Sequence, residues 1–308
     1  MKQRVWIDTD MGFDDLWAIL TVLGADGLIV DGIGLVAGNS PLPNVIDQAC
    51  RAKACFGWPF PLHAGRSLPL VAAPIDAGYV LGPSGMRTVG GSLPPAPRAV
   101  SPTDAVTAMA EWLRATPQPS TILALGPLTN MAALLLAHGE LRNRIAEVVL
   151  MGGSTDRGNH TAAAEFNIAA DPEAAAVVLA SGVPIRMVGL NACRLVTTGM
   201  SDVHQVRAGK GPQAALLGDL LEGYVRIAGA DGSRPMAVYD PVAAAALVDQ
   251  DCIRFAPARV EIELQGRYTR GMTVTELRVP AKAVANAAVA VDVDAQRVRS
   301  LVLRALGG

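Results

Sequence analysis

A dense run of aspartates lies near the start of the chain, in the segment Asp8-Thr9-Asp10-Met11-Gly12-Phe13-Asp14-Asp15. Carboxylates this close repel one another, so a fold can hold them together only if a cation or hydrogen-bond donors compensate their charge. The apolar run Val5-Trp6-Ile7 before them predicts a buried strand, Gly12 a turn, and Leu16 to Leu23 the helix that follows. The acids therefore stand at the carboxyl end of a strand, where open α/β sheets bind their ligands. A site for a hard cation is the first hypothesis.

An alternative interpretation treats the acids as solvated helix caps. Asp14 and Asp15 at the start of a helix would gain from its dipole without any metal. That interpretation leaves Asp8 and Asp10 unexplained at the end of a buried strand. Since no histidine or cysteine stands near the cluster, the donor set favours Ca²⁺ or Mg²⁺ over zinc.

Composition excludes several classes of partner. The 26 Lys and Arg residues against 28 Asp and Glu residues give a formal net charge of −2, and no basic stripe predicts a nucleic-acid surface. No apolar run reaches the roughly 20 residues that a membrane span needs. The four cysteines have neither zinc spacing nor the density of a disulfide scaffold. We expect a soluble, cytoplasmic protein that binds neither nucleic acid nor a membrane.

The fold class follows from apolar runs that alternate with helical stretches. Four runs predict parallel strands buried on both faces: Leu28 to Val36, Thr121 to Leu125, Glu147 to Met151 and Pro184 to Leu190. We therefore expect one α/β domain over residues 1–308, with a mostly parallel, Rossmann-like central sheet flanked by helices. Val260 to Leu264 and Thr273 to Val279 alternate as paired strands do, which predicts a small antiparallel portion near the C-terminus. Ala295 to Leu306 predicts a closing helix.

Several helix starts and one long loop can also be predicted. In Ser101-Pro102-Thr103-Asp104 the serine is the expected N-cap, and Asp171-Pro172-Glu173 repeats the pattern. Thr129 and Asn130 are interpreted as caps of a further helix. The Pro- and Gly-rich stretch from Gly57 to Ala99 is predicted to be a surface excursion or a loop over the active site.

An ordered set of short motifs indicates a family. The motifs are Val36-Ala37-Gly38-Asn39, Leu125-Gly126-Pro127-Leu128-Thr129-Asn130, Met151-Gly152-Gly153, Gly158-Asn159, Glu165-Phe166-Asn167, Asp171-Pro172-Glu173-Ala174-Ala175 and Tyr239-Asp240-Pro241. Together with the aspartate run, they resemble the inosine-uridine-preferring nucleoside hydrolases, which cleave the N-glycosidic bond of ribonucleosides. A strand followed by Asp-x-Asp also begins HAD-type phosphatases, but the Asp14-Asp15 pair is foreign to that pattern.

The resemblance implies a Ca²⁺ site and a mechanism. It assigns the ion to Asp10, Asp15, the backbone carbonyl of Leu125 and Asp240. The ion would carry the attacking water and the 2′- and 3′-hydroxyls of the ribose, and Asp10 would act as general base. Glycosyl transfer passes through an oxocarbenium-like transition state, so surrounding anionic and amide oxygens would stabilise the developing positive charge. Asp8 is expected to support the loop that carries the other aspartates without contacting the ion itself.

The resemblance also implies the substrate contacts. Six side chains are assigned to the ribonucleoside: Asp14, Asn39 and Asn167 to the diol, Asn159 and Glu165 to the 5′-hydroxyl, and Met151 to the substrate more generally. Three of these have a simpler interpretation: Asn39 and Asn159 each follow a glycine and can be ordinary turn or loop residues, and Met151 can be plain core. A homodimer or homotetramer is expected by resemblance alone.

The part of the site that would activate the leaving base departs from the family pattern. Tyr239 stands where many relatives have His and another branch has Trp. It can stack on the base, offer its phenol proton, or simply pack as a wall. Leu81-Gly82-Pro83-Ser84-Gly85 replaces a segment that usually begins with a second histidine. Cys193 and Arg194 also depart, and are interpreted as a packed thiol and either a salt bridge or an anion contact.

The four histidines offer little for acid catalysis. His63, His138 and His204 are predicted surface residues, and His160 is the one that can line the pocket. The residues assigned to the ribose therefore match the family pattern, whereas those expected to contact the base differ from it. The sequence does not specify the preferred base. A riboside binder that has lost turnover is the alternative function. The presence of Asp10, which water activation needs, favours the enzyme.

Overall fold

The carboxyl ends of parallel strands meet along one edge of a nine-stranded sheet. The computed structural model describes residues 2–82 and 84–307. Its strands are β1 (Gln3–Thr9), β2 (Leu28–Leu35), β3 (Leu62–Ala64), β4 (Ser120–Ala124), β5 (Ile145–Met151), β6 (Ile185–Val188), β7 (Thr197–Thr198), β8 (Met236–Ala237), β9 (Ile253–Ile262), β10 (Thr273–Glu276) and β11 (Ala287–Val293).

Helices cover the sheet and connect most of its strands. They are α1 (Phe13–Leu23), α2 (Leu42–Phe56), α3 (Gly78–Leu81), α4 (Ala105–Ala115), α5 (Thr129–Ala137), α6 (Phe166–Ala170), α7 (Pro172–Ala180), α8 (Leu190–Cys193), α9 (Met200–Arg207), α10 (Ala214–Ala228), α11 (Asp240–Val248) and α12 (Ala295–Gly307), with a 3₁₀ helix at Gly139–Arg144. None of the helices within the described ranges combines the length and the apolar character that a membrane span requires.

The order of the strands places a ligand crevice beside β1. The sheet runs β10-β9-β11-β6-β5-β4-β1-β2-β3, so the chain leaves β1 toward one edge and returns on its other side as β4. Both neighbours pair with β1 in parallel. Adjacent strands whose connections diverge in this way form a crevice at their carboxyl ends. The aspartate run follows β1, and Leu125 follows β4, at this point.

Two apolar layers explain why the central strands read as near-continuous hydrophobic runs. Val5 and Ile7 belong to one buried cluster, with α1 and α10 to α12, whereas Trp6 belongs to the other, with α4, α5 and α7. Alternate residues of a strand face opposite sides of a sheet, so both faces of β1 are buried. The predicted α/β class, with its mostly parallel central sheet, is confirmed.

The antiparallel portion is larger than predicted. β9 pairs with β10 as expected, but it also pairs with β11, which the sequence interpretation missed. β11 in turn lies parallel to β6 and joins this portion to the main sheet. Its sequence, Ala-Ala-Val-Ala-Val-Asp-Val, is rich in alanine, which has low strand propensity.

One prediction about a helix start was wrong in detail. Ser101 is not the N-cap of α4; the Asp104 carboxylate accepts hydrogen bonds from the backbone N–H groups of the first turn. The backbone N of Ser101 instead donates to Leu62 at 2.8 Å and extends the edge of the sheet. The 57–99 stretch, predicted as a surface excursion or a loop over the active site, contains β3 and the single turn α3.

Candidate active site

One cavity opens at the carboxyl ends of β1, β4 and β5. Every predicted site residue except Asp15 lines it: Asp10, Asp14, Asn39, Leu125, Met151, Asn159, Glu165, Asn167, Tyr239 and Asp240. These residues come from segments spread over most of the chain, and the parallel sheet brings the ends of their strands together. The same cavity is also lined by Leu81, whereas Pro83 of that segment lies outside the described residues.

Two helix N-termini bring three of the acids together. Asp14 and Asp15 lie in the first turn of α1, Asp240 lies in the first turn of α11, and the two helices pack against each other. One oxygen from each carboxylate lies within 4.8 Å of the other two. The positive ends of both helix dipoles favour negative charge here. The arrangement is the oxygen-only donor set expected for a hard cation.

Asp15 lies beneath the cavity floor with its carboxylate fixed by donors. It is fully buried and accepts hydrogen bonds from the Thr9 hydroxyl, from Gly12 N at 2.7 Å and from Asn39 Nδ2 at 3.2 Å. One of these is the reciprocal bond of a helix N-terminus, from the Gly12 amide to the third residue of α1. Three donors thus fix the orientation of the Asp15 carboxylate in a buried position, which suits a metal ligand better than a solvated helix cap.

Asp10 is oriented by the turn that follows β2. Asn39 donates to it from its backbone N at 2.6 Å and from Nδ2 at 3.1 Å. A side chain at Gly38 would collide with the Asp10 carboxylate, so this close approach requires glycine. Asn39 is therefore more than the turn residue of the simpler interpretation, since it bonds to Asp10 and Asp15 and lines the cavity.

The negative charge of the cluster is uncompensated by protein cations. Burial, followed by the neighbouring Asp15, raises the pKa of Asp14 to about 7 and raises the pKa of Asp10 and Asp240 well above the usual range. Among the described residues, no Lys, Arg or His forms an ion pair with these carboxylates. Buried charges are normally paired or coordinate metals. The residues present fit a bound divalent cation.

Asp8 lies outside the cavity and is held from the side of α5. Its carboxyl accepts from Asn130 Nδ2 at 2.8 Å, and burial raises the pKa of Asp8 to about 7. The neighbouring Thr129 hydroxyl donates to Asp171 at 2.7 Å. The interpretation of Thr129 and Asn130 as helix caps was therefore wrong, because Leu128 is the N-cap and both side chains bond to distant acids.

A second polar wall lies beyond β4 and β5. Asn167 Nδ2 donates to the Leu125 carbonyl at 2.6 Å and to the Met151 carbonyl at 3.1 Å. A carbonyl oxygen has two lone pairs, so the Leu125 oxygen can still face a cation. Met151 is buried and lines the cavity, so it is core and cavity wall together.

Glu165 and Asn159 occupy the start of α6. Glu165 is the N-cap, buried, and accepts from Asn167 N at 2.8 Å, Ile168 N at 3.1 Å and Gly153 N at 3.0 Å. Burial raises the pKa of its carboxyl. Asn159 Oδ1 accepts from Phe166 N at 2.9 Å. The amide group of Asn159 is thereby oriented with its Nδ2 available to a ligand.

Tyr239 closes the opposite side of the cavity. It follows the short antiparallel pair β7–β8, and the Cys193 sulfur lies 3.7 Å from its carbonyl oxygen. Burial, followed by the charge of Asp14, raises the pKa of the phenol to about 12. A phenol with so high a pKa is a poor proton donor near neutral pH. Cys193 is fully buried, as its interpretation as a packed thiol predicts.

The rest of the cavity lining is largely apolar and was mostly not singled out by sequence reasoning. The lining residues that had not been singled out are Ala77, Tyr79, Val80, Phe166, Tyr224, Ile227 and Met236. Ala77 precedes α3, and the others lie on α3, α6, α10 and β8. The first three fall in the 57–99 stretch that was predicted as a possible loop over the active site, whereas no local motif marks the others as their neighbours. The Tyr224 hydroxyl already donates to the Ala237 carbonyl at 2.7 Å, so it is engaged within the fold.

The histidines divide as predicted with one exception. His160 lines the cavity, and its buried Nδ1 has no hydrogen-bond partner among the described residues. His204 is exposed and His138 half-buried. His63, predicted to be at the surface, is buried against the Trp6 ring at a centroid distance of 5.4 Å and contacts the Thr103 carbonyl at 2.9 Å through Nδ1.

Comparison with known proteins agrees with this geometry. The family model described as "Inosine-uridine preferring nucleoside hydrolase" matches residues 5–300. A pyrimidine-specific ribonucleoside hydrolase, RihA of Citrobacter koseri, is 36% identical over 299 residues, which cover 96% of this chain and 95% of that protein.

Solved structures give the same answer at the level of the fold. A purine-preferring ribonucleoside hydrolase from Gardnerella vaginalis superposes with a TM-score of 0.90 at 26% identity, covering 99% of this chain and 98% of the other. The plant nucleoside hydrolase PpNRh1 superposes with a TM-score of 0.92 at 27% identity over 100% of both chains. The chain belongs to the inosine-uridine preferring nucleoside hydrolase family.

Proposed function

We propose that this enzyme hydrolyses the N-glycosidic bond of ribonucleosides, giving ribose and the free base, with Ca²⁺ as its cofactor. The observation that carries the proposal is the cluster of Asp14, Asp15 and Asp240, whose oxygens lie within 4.8 Å of one another. The cluster adjoins Asp10 and the amide side chains of the same cavity. A cavity of this kind can hold a cation, a polyol and an attacking water together.

The cation would be held by Asp10, Asp15, Asp240 and the Leu125 carbonyl, with Asp14 beside it. When bound, a divalent cation neutralises the carboxylates and lowers the pKa of water at the site. Ca²⁺ suits a cage made largely of protein oxygens, whereas Mg²⁺ usually keeps several of its waters and uses one or two carboxylates. That difference is why we propose Ca²⁺.

Asp10 is the proposed general base. Its carboxylate is oriented by the two Asn39 hydrogen bonds and faces the cavity, so it can accept a proton from a water held there. In the metal-free protein, burial, followed by the neighbouring Asp15, raises its pKa above the usual range of a carboxyl group.

The remaining polar groups are proposed to hold the ribose. Asp14, Asn39 and Asn167 would bind the diol, and Asn159 and Glu165 the 5′-hydroxyl. The sugar becomes positively charged in an oxocarbenium-like transition state, and fixed carboxylate and amide oxygens around it stabilise that charge. Because these groups are held by hydrogen bonds before substrate arrives, little reorganisation accompanies the reaction.

The base is proposed to lie against the apolar side of the cavity, where Tyr239 would contact it by stacking. The relatives do not agree on a base, since RihA is named pyrimidine-specific and the Gardnerella enzyme purine-preferring. We therefore propose ribonucleosides as the substrate class without narrowing the base. A cytoplasmic location and a homodimer or homotetramer are further expectations, which cell fractionation and light scattering would test.

Chromatography of free base released from a panel of purine and pyrimidine ribonucleosides tests the proposal. Release should stop with a calcium chelator and return with added Ca²⁺. Asp10→Asn should lower kcat at least about 100-fold while largely sparing nucleoside affinity, because it removes the base but keeps the shape. A protein that binds ribosides and releases no base from any of them would instead be a non-catalytic binder.

A further inference from the structure

Arg194 anchors a loop that forms one wall of the cavity. It follows the last residue of α8, and its guanidinium donates to Asp156 Oδ1 at 2.8 Å, to the Arg157 carbonyl at 2.9 Å and to the Gly158 carbonyl at 2.9 Å. The side chain of Asp156 is 53% exposed, so the ion pair by itself contributes little. The two hydrogen bonds to carbonyl oxygens matter more, because they fix the backbone immediately before Asn159.

The loop beyond this anchor is a compact unit. The backbone N–H groups of Asn159, His160 and Thr161 all point to the Ala164 carbonyl, each at 3.2 Å. A side chain at Gly158 would collide with the Ala164 and Thr161 carbonyls, so the turn tolerates only glycine. The loop is thus closed by its own backbone hydrogen bonds, and Arg194 joins it to the end of α8.

The same short helix also supports the opposite wall. Cys193, next to Arg194, packs its sulfur 3.7 Å from the carbonyl oxygen of Tyr239. On the other side of Arg194, Asn159 and His160 line the cavity. The end of α8 therefore contacts both the loop before Asn159 and the backbone of Tyr239.

We propose that Arg194 is a positioning residue that holds Asn159 against the 5′-hydroxyl of the substrate and so sets the preference for ribosides with a free 5′-hydroxyl. The inference rests on the proposed function, which places Asn159 at that hydroxyl. Arg194 touches no substrate; it acts through the backbone of residues 157 and 158. Lysine can keep the charge, but it has no planar fork that reaches a carboxylate and two carbonyls together.

The test compares a ribonucleoside with its 5′-deoxy counterpart in wild type, Arg194→Lys and a matched control. Arg297→Lys is the control, since Arg297 also forms an ion pair with an aspartate, Asp249, and neither of these two residues lines the cavity. Arg194→Lys should lower kcat on the ribonucleoside about tenfold and kcat on the 5′-deoxy substrate less than about twofold, because remote binding energy is used to orient the reacting centre. Arg297→Lys should change neither by more than about twofold.

Hydrogen exchange provides a readout independent of turnover. In Arg194→Lys the amides of residues 158–164 should exchange faster than in wild type, while those of α10 stay unchanged. Asp156→Asn, which leaves the carbonyl bonds in place, should show a smaller change in both experiments.

Three results would overturn the inference. Equal losses on the two substrates, or no loss, would make Arg194 a structural residue whatever the exchange data show. A wild type that hydrolyses both substrates equally well would remove Asn159 from the 5′-hydroxyl while leaving the hydrolase assignment intact. A wild type that releases no base from any riboside would overturn the proposed function itself, and the inference with it.

Discussion

Asn39 donates hydrogen bonds to Asp10 through both its backbone and its side chain, at 2.6 Å and 3.1 Å. The same Nδ2 also reaches Asp15 at 3.2 Å. One amide group therefore ties the proposed general base to a proposed metal ligand, across the crevice between β1 and the turn after β2. Removing the Asn39 side chain therefore tests how much the orientation of these two carboxylates matters, because both carboxylates are still present.

Asn39→Ala should lower kcat/KM for ribonucleosides about tenfold, because Asp10 and Asp15 lose their shared donor while both carboxylates remain. The backbone bond to Asp10 survives in this variant, so the loss should be smaller than that of Asp10→Asn. Steady-state kinetics on the best ribonucleoside measures the effect, and the melting temperature checks that the variant is folded. A loss below about threefold would show that Asn39 is only a turn residue, as Gly-Asn often is.

The contact between Asn130 and Asp8 predicts an effect on stability instead of chemistry. Asn130 donates to the buried Asp8 carboxyl at 2.8 Å and accepts from Arg66 N at 2.8 Å. Asn130→Ala should lower the free energy of unfolding by about 2–3 kcal/mol, because it leaves buried polar groups without partners. Urea unfolding at pH 7 measures this. Ser300→Ala, at an exposed position of α12, is the control, and a comparable loss in that variant would contradict the argument.

The features that sequence reasoning predicted are those encoded locally. The strand before the aspartate run is a short apolar segment with the acids directly after it, so its position and its ligand edge could be inferred together. Because parallel strands expose their carboxyl ends on one side, residues far apart such as Asp10, Asn167 and Asp240 could be expected in one cavity, and they are.

The features it missed depend on tertiary contacts. His63 is buried because its ring stacks on Trp6, which no local pattern around His63 indicates. Ser101 and Asp104 are both competent N-caps, and the choice of Asp104 follows from the pairing of Ser101 with the edge of the sheet. The apolar side of the cavity assembles from α3, α10 and β8. The stretch that contains α3 was predicted as a possible loop over the site, but α10 and β8 are too ordinary or too short in sequence to predict that they share its cavity.

Tyr239 offers a sharp test of what replaces the usual leaving-group acid. Since burial raises the pKa of its phenol to about 12, proton donation from it near neutral pH is unfavourable, whereas stacking needs only the ring. Tyr239→Phe should therefore keep kcat within about threefold, and Tyr239→Leu should lower kcat/KM about tenfold through the lost aromatic contact, which is worth about 1 kcal/mol or more. Kinetics on the panel of ribonucleosides measures both variants. A loss of about 100-fold in Tyr239→Phe would assign the proton to the phenol.

Metal removal should have a pH-dependent effect on stability, and its sign follows from the raised pKa values. Burial raises the pKa of Asp8 and of Asp14 from 3.8 to about 7 in the metal-free protein. The folded state then binds these protons more tightly than the unfolded state does. The contribution of these two carboxyls to the stability of the metal-free protein is therefore fully present below about pH 4 and is lost as the pH rises toward 7. A cation in the cluster acts on the Asp14 part of this loss, because Asp8 lies outside the cavity.

A cation that binds the ionised carboxylates offsets this loss, and protons compete with it at low pH. The increase in melting temperature on adding Ca²⁺ to metal-stripped protein should therefore be roughly twice as large at pH 8 as at pH 5. Subtracting the melting temperature of the metal-stripped protein from that of the Ca²⁺-loaded protein at each pH removes the contribution of titrating groups elsewhere in the chain. Asp240→Asn is the matched control and should lose most of the increase, because it removes one of the three clustered carboxylates. The same increase at both pH values, or an undiminished increase in Asp240→Asn, would place the stabilising Ca²⁺ outside this cluster.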